Sequence, residues 1–446
     1  MLLFIVSTGC GGDDDGNDGD ASSSGEQVPP AWVDAPELPL QLGQGQSRHL
    51  PMTLTGVSGV TAAATSPPEL EAEVTTTEPP ELAVHASYQA SGTQTLQVDV
   101  SDDKGLRVGY AVGVDVFEIG WRDGPSWSGS SGPEAREHGA LLVDDEGAQV
   151  FLIGGSGYQP YGTPLDDVWR YDLAGAAWAE VTPTGDVPDG AGSRRVAQVD
   201  STTAYLFGGY GKNSAVNAEL YRVRVEDGTL SFQLLDMQTN PPPARALHAF
   251  VYDATSNRFV LFGGAGAAKP FSDTWVMTLD GDVATWTEVM PAAAPSARYG
   301  FFYGFDAERG RLVVFSGAQG FASINPAQDT WALDVRAEPP AWELVHEGDP
   351  AVPGRRNGCM VWDPTGPRLF VFGGTADGMT TEAGVFAFDA RPGKARWDLV
   401  ERPGEPPLRS SGIGFHHASR QDNYFGFGNT TSDVYADWFV LGYPVQ

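Results

Sequence analysis

The sequence predicts an all-β protein, and three observations carry that expectation. Short apolar runs closed by a glycine pair recur at a near-constant interval. Runs of alternating apolar and polar residues precede them. Glycine and proline, 56 and 33 of 446 residues, leave few stretches that keep a helical period. The clearest recurring copy is Phe259-Val260-Leu261-Phe262-Gly263-Gly264, followed by a small polar loop, then Asp273-Thr274-Trp275 and Trp286. Four apolar residues make a buried strand too short to be a helix, and the glycines permit backbone angles that a side chain would forbid.

Further copies end at Leu152-Ile153-Gly154-Gly155, Leu206-Phe207-Gly208-Gly209, Val314-Phe315-Ser316-Gly317, Val371-Phe372-Gly373-Gly374 and Gly426-Phe427-Gly428-Asn429. From Gly154 to Gly208, Gly263, Ser316, Gly373 and Gly428 the steps are 54, 55, 53, 57 and 55 residues. A period of about 50 residues with a strand, a glycine pair and a later tryptophan resembles the kelch repeat. The resemblance implies a six-bladed kelch β-propeller over residues 119–446, each blade built of four strands.

Each repeat opens on an arginine, at Arg136, Arg195, Arg245, Arg298, Arg356 and Arg409. The apolar strand is second. The third carries an aromatic, usually two residues after an acid, as in Asp167-Val168-Trp169, Glu219-Leu220-Tyr221 and Asp329-Thr330-Trp331; Phe386 in the fifth copy lacks the acid. The fourth ends on Trp178, Phe232, Trp286, Trp342 or Trp397, and these aromatics are large enough to pack one twisted sheet on the next. The sixth copy stops at Gln446 without such a strand, while Trp121 and Trp127 precede the first repeat. A strand there would close the last sheet and leave no edge open.

Upstream, residues 35–118 read as a small β-sandwich. Leu96, Val98 and Val100 alternate with polar residues, as do Val108, Tyr110, Val112, Val114 and Val116, and the Asp/Gly turn between them predicts an antiparallel hairpin. The segment resembles bacterial immunoglobulin-like or cadherin-like modules, without the Cys…Trp…Cys core of true immunoglobulin domains. Asp99, Asp102 and Asp103 are read as turn residues bonding their own backbone in preference to a calcium site.

The first residues, an apolar run Met1 to Val6 followed by Ser7-Thr8-Gly9-Cys10, resemble a bacterial lipoprotein signal. That resemblance implies a signal peptide over 1–9, incomplete at its start because its six apolar residues fall short of the usual signal core of roughly 7 to 15, with Cys10 lipidated and residues 10–34 a flexible Asp/Gly/Ser tether; no Lys or Arg precedes the run, a departure from the pattern. Localisation at the cell envelope follows, at the outer membrane or cell surface. No later segment approaches the ~20 apolar residues of a membrane helix, so membrane contact is expected through the lipid alone.

Lys and Arg total 27 against 58 Asp and Glu, a net charge of −31 that repels phosphate backbones, and no nucleic-acid partner is expected. Within this acidic chain the six arginines form a candidate ring at one mouth of the channel, suited to carboxylates or sulfates on a protein or glycan ligand. Kelch proteins that bind acidic peptides use arginines at similar positions, which the resemblance carries over. The competing reading pairs each arginine with an acid of a neighbouring blade, such as Asp167, Asp273 or Asp329. A third reading places recognition on the loops after the glycine pairs, which hold Tyr158, Tyr161, Tyr210, Lys212, Phe271 and Phe321.

Enzymatic readings stand as the alternative. Galactose oxidase shares the kelch propeller and needs two histidines and two tyrosines on copper, one tyrosine crosslinked to cysteine. Here His138, His248, His416, His417 and Cys359 fall in opening strands, and no tyrosine–cysteine pairing matches by spacing. A carbohydrate epimerase or lyase working with Arg and Glu at the channel is the other enzymatic form. The preferred expectation is a monomeric, non-catalytic binding protein without a cofactor.

Overall fold

A computed structural model describes residues 29–444 apart from 57–58, 76, 128–130, 158–161, 213–214, 239 and 323–325. Cys10, with the whole signal and most of the tether, lies outside the described residues, as do Tyr158 and Tyr161. Every named element is a strand. The chain divides into two compact units, Met1–Ile119 with Tyr443–Gln446, and Gly120–Gly442.

In the first unit a four-stranded sheet runs Leu40–Gly43, Arg107–Phe117, Gly92–Ser101, Thr61–Thr65, and a three-stranded sheet runs Ser47–Pro51, Glu81–Ala86, Leu70–Val74. The hairpin of Gly92–Ser101 with Arg107–Phe117 is antiparallel, and its alternation sends Leu96, Val98, Val100, Val112 and Val114 into one core with Leu70, Leu82 and Val84 of the other sheet. The turn between them is held by Asp102, whose Oδ1 accepts the Lys104 and Leu106 N–H groups, while Asp99 pairs with Arg107. Two expected boundaries move. Ala31–Trp32 pairs with Leu54–Thr55, so the fold begins inside the segment expected as tether to residue 34, because Trp32 is a core residue. At the other end Tyr443 leaves the repeats and donates from its hydroxyl to the Gln44 carbonyl at 2.7 Å.

Among the described residues the second unit holds six antiparallel-cored sheets in chain order. Four inner strands are typical of the set: Ala140–Asp144, Phe302–Asp306, Cys359–Asp363 and Ile413–His417. The outermost strand of the last sheet is Gly120–Ser126, which pairs antiparallel with Asp437–Gly442. The second and third sheets each gain a short parallel strand from the preceding linker, Thr184–Gly185 and Asp236–Gln238.

Aromatic packing joins the sheets in a repeating way. The closing aromatic of a sheet lies against the phenylalanine before the glycine pair of the preceding sheet in Trp286 on Phe207, Trp342 on Phe262 and Trp397 on Phe315, while Trp178 meets Phe427, one residue later in its repeat. Trp121 on Phe372 continues the series in the sixth sheet. Such pairs contribute about 0.5–1.5 kcal/mol each beyond their buried area. Trp342 and Trp397 also donate their indole N–H to Thr274 and Thr330 of the sheet before.

The glycine pairs give the ring its backbone circuit. The N–H of the second glycine donates to a carbonyl at the opening of the next sheet: Gly155 to Ala191, Gly209 to Arg245, Gly264 to Arg298, Gly317 to Arg355, Gly374 to Arg409 and Gly428 to Arg136, at 2.8–3.3 Å. A side chain is excluded there. A Cβ on Gly264 would lie 2.8 Å from the Ala246 carbonyl oxygen, and the residue sits at φ +102°. The circuit also corrects the sixth copy by one residue. Phe427, left-handed at φ 54°, holds the first glycine position and Gly428 the second.

Beside this circuit runs a belt of left-handed residues, two positions after the opening arginine in five sheets and two after Ala191 in the second: His138, Ser193, Leu247, Gly300, Asn357 and Ser411, with φ between 53° and 61°. The N–H of Ser193 donates to His138, Gly300 to Leu247, Asn357 to Gly300, Ser411 to Asn357 and His138 to Ser411.

Candidate functional site

Four of the six arginines expected at the mouth, Arg136, Arg245, Arg298 and Arg409, occupy one repeat position and are fully buried. Each grips the acid of its own sheet with both terminal nitrogens, Asp167, Asp273, Asp329 and Asp437 respectively. Their Nε groups donate to the carbonyl two residues back, and Nη1 to the carbonyl eighteen residues on. The pairing therefore runs within a sheet, tying first strand to third. A neighbouring sheet's acid is not the partner. The same aspartates accept the indole N–H of Trp169, Trp275 and Trp331, which explains the acid–x–tryptophan pattern.

Arg195 and Arg356 are not members of this set, and their assignment to one ring is corrected. Each follows another arginine, so the sequence offers two registers. The structure gives the buried position in the fifth copy to Arg355, and in the second copy to Arg194, which reaches in from three residues beyond Ala191 to Glu219 and the Asp189 carbonyl. Among the described residues Arg355 makes no ion pair there; burial lowers its pKa to about 10, partly offset by Glu382, and it lies over the Phe386 ring.

The two displaced arginines face the middle of the ring, and among the described residues neither has a carboxylate within ion-pair distance. Arg356 donates from Nη1 to the Tyr299 hydroxyl at 2.7 Å and lies over that ring at 5.4 Å. Tyr299 meets Phe321 edge-on at 5.2 Å. Phe321 is 44% exposed and Met379, on the next loop, 70%. Tyr210 adds a half-buried ring whose hydroxyl is pushed up to about 12 by burial and by Tyr299, with Arg356 opposing. Glu137, half-buried at the equivalent position of the first sheet, has its carboxyl raised by burial against a Ser411 hydrogen bond. The mouth thus joins a guanidinium with free donors to aromatic and methionine surface, a composition suited to protein recognition.

The loop residues divide. Phe321 belongs to this mouth and Lys212 is exposed, whereas the Phe271 ring is covered by the buried Arg245 at 4.2 Å. The histidines do not converge. His138 sits in the belt, its ring held down to about 3 by burial and then by Arg195 and Arg356. His248 is lowered well below its ordinary value by burial, Arg245 and Arg195. His416 bonds Asn423, and His417 approaches Asp145. Burial raises the Cys359 thiol to about 12. Among the described residues no group of three or more His, Cys, Asp or Glu side chains is arranged to hold a metal.

Comparison with known proteins gives a consistent picture. Residues 193–428 match the KLHDC2/KLHL20/DRC7 Kelch-repeats domain. Adagio protein 3 of Arabidopsis thaliana is 26% identical over 268 residues, 58% of this chain and 42% of that protein. Kelch domain-containing protein 2 of Bos taurus is 26% identical over 290 residues, 56% of this chain and 67% of that protein. The chain thus spans about two fifths of the length of the Adagio proteins it matches. Among solved structures, YjhT aligns at TM-score 0.51 and 14% identity over 69% of this chain and 95% of that one. The RAG complex with one melted and one unmelted RSS aligns at 0.53 and 12% over 73% and 100%. These two share the fold alone.

Proposed function

From a chain that belongs to the KLHDC2/KLHL20/DRC7 Kelch-repeats domain family, we propose a non-catalytic recognition protein whose six sheets are the blades of a closed kelch propeller. It takes a protein ligand at the mouth bearing Arg356. The single observation that carries the reading is Arg356 itself, a guanidinium beside Tyr299 with no acid partner among the described residues, with exposed Phe321 against Tyr299 and exposed Met379 on the loop that begins at Thr375, the backbone partner of Arg356. A carboxylate on the ligand meets Arg356 as a forked acceptor, and the apolar loop residues cover the adjoining contact. In a chain of net charge −31 such a local cation selects for an anionic group.

The N-terminal unit, in this reading, is an immunoglobulin-like or cadherin-like stalk, and Cys10 is a lipid anchor to a bacterial cell envelope. The envelope assignment rests on the sequence motif alone; the relatives named above come from a plant and from cattle. Metabolic labelling with a fatty-acid analogue tests it, with incorporation expected in the intact chain and lost in Cys10→Ser.

Panning a random peptide display library on the full chain, with a glycan array alongside, tests the binding reading. Acid-bearing peptides are expected to be enriched on the unaltered protein and not on Arg356→Ala. Enrichment indifferent to Arg356, or selective capture of glycans without peptides, contradicts it.

A further inference from the structure

The middle of the ring holds a second feature, separate from the loops and rings of the mouth. Next to the belt lies a cavity of about 140 Å³, lined among others by Gly139, Leu141, Arg195, Tyr303, Met360 and Gly414, from five of the six inner strands. The sixth contributes a backbone contact, the His248 carbonyl, which accepts from Arg195 Nε at 3.0 Å. The cavity is therefore part of the central channel.

Arg195 is out of keeping with its place in the repeat. The equivalent residues are Ala140, Ala249, Phe302, Cys359 and Ile413, all buried and uncharged. The guanidinium lies over the Tyr303 ring at 5.8 Å, which occupies one face, and Nε is used by His248. The two Nη groups make no hydrogen bond or ion pair among the described residues. What remains toward the cavity is the planar two-nitrogen edge that matches a carboxylate. Charged groups drawn away from bulk water are ordinarily compensated, and both Arg195 and Arg356 are close enough to act on His138.

The volume limits what fits. At about 140 Å³ the cavity falls well short of the ~300 Å³ at which small-molecule pockets begin. We propose that this channel cavity is a small-anion site in which the Nη edge of Arg195 holds a planar monocarboxylate of the size of formate or acetate.

Calorimetric titration of the full chain with sodium acetate, at ionic strength held constant with sodium chloride, tests the site. One-to-one saturable binding is expected, weakened at least about tenfold in Arg195→Gln, as loss of a charge-assisted pair requires. Arg195→Lys, which keeps the charge and loses the fork, should fall between the two. Phe321→Ala at the mouth should bind acetate as the unaltered protein does, so failure of the protein-binding reading leaves this result untouched. Glucuronate, too large for the cavity, should not compete. Crystals soaked in sodium bromide should give an anomalous peak beside the Arg195 Nη groups, a readout that stands even where Arg195→Gln fails to fold. Absence of saturable acetate binding, equal binding by folded Arg195→Gln, competition by glucuronate, or a channel without bromide at Arg195 overturns the proposal.

Discussion

The backbone N–H of Gly428 donates to the carbonyl of Arg136 at 2.8 Å, and this bond joins the last sheet of the ring to the first. Its five counterparts join every other neighbouring pair. The same residue that accepts this bond sends its side chain to Asp167, so the opening arginine serves closure with its backbone and internal bracing with its guanidinium.

Gly428→Ala should open that junction. The residue sits at φ +87°, and a Cβ would lie 2.3 Å from the Ser410 carbonyl oxygen. Gly393, also left-handed, has open space around it and serves as control. Urea denaturation should show Gly428→Ala losing more than about 1 kcal/mol, and clearly more than Gly393→Ala, whose cost is the backbone conformation alone.

Removing a brace strands its partner. Arg245→Ala leaves Asp273 without either Nη bond while Trp275 still donates to it. Denaturant unfolding should register a loss of about 3–5 kcal/mol, the usual cost of breaking a buried pair from one side. A loss under 1 kcal/mol would show the braces to be dispensable.

Acid should unfold the protein in part through His248. Burial first, then Arg245 and Arg195, keep its ring neutral in the folded state, whereas the unfolded chain takes up a proton below its ordinary value of 6.5. The unfolded state therefore binds more protons, and stability falls as pH drops from about 6.5, by up to about 1.4 kcal/mol per pH unit for one such group. His248→Phe should flatten the stability profile between pH 6.5 and 4; an unchanged slope contradicts the assignment.

The exposed mouth residues should separate binding from stability. Phe321→Ala and Met379→Ala remove side chains that are 44% and 70% exposed, so thermal unfolding should move by no more than about 0.5 kcal/mol. Affinity for a display-selected peptide should fall by about fivefold or more for at least one of them, as truncation of an interface aromatic or methionine does.

The repeat was legible because glycine pairs and closing tryptophans answer to geometry that recurs in every sheet. The site was legible only in part. Arg194-Arg195 and Arg355-Arg356 present two candidates each, and choosing between them requires knowing which residue lies two positions before the left-handed belt. That belt holds His, Ser, Leu, Gly, Asn and Ser, a set with no shared side-chain chemistry. In the second copy even the spacing fails, since Ala191 fills the position and Arg194 supplies the guanidinium from elsewhere. The acid before each third-strand tryptophan was visible, but a tryptophan two residues away does not reveal that the acid's main partner is an arginine some thirty residues earlier.

The account's central claim is that Arg356 receives the acidic group of a protein ligand. The most direct measurement is the affinity of a display-selected, acid-bearing peptide for the full chain and for Arg356→Ala, with thermal unfolding of both read alongside. The account predicts a loss of at least about tenfold with little change in unfolding temperature, and a similar loss when the peptide's acid is replaced by its amide. Equal affinity for the two proteins, both folded, would contradict it.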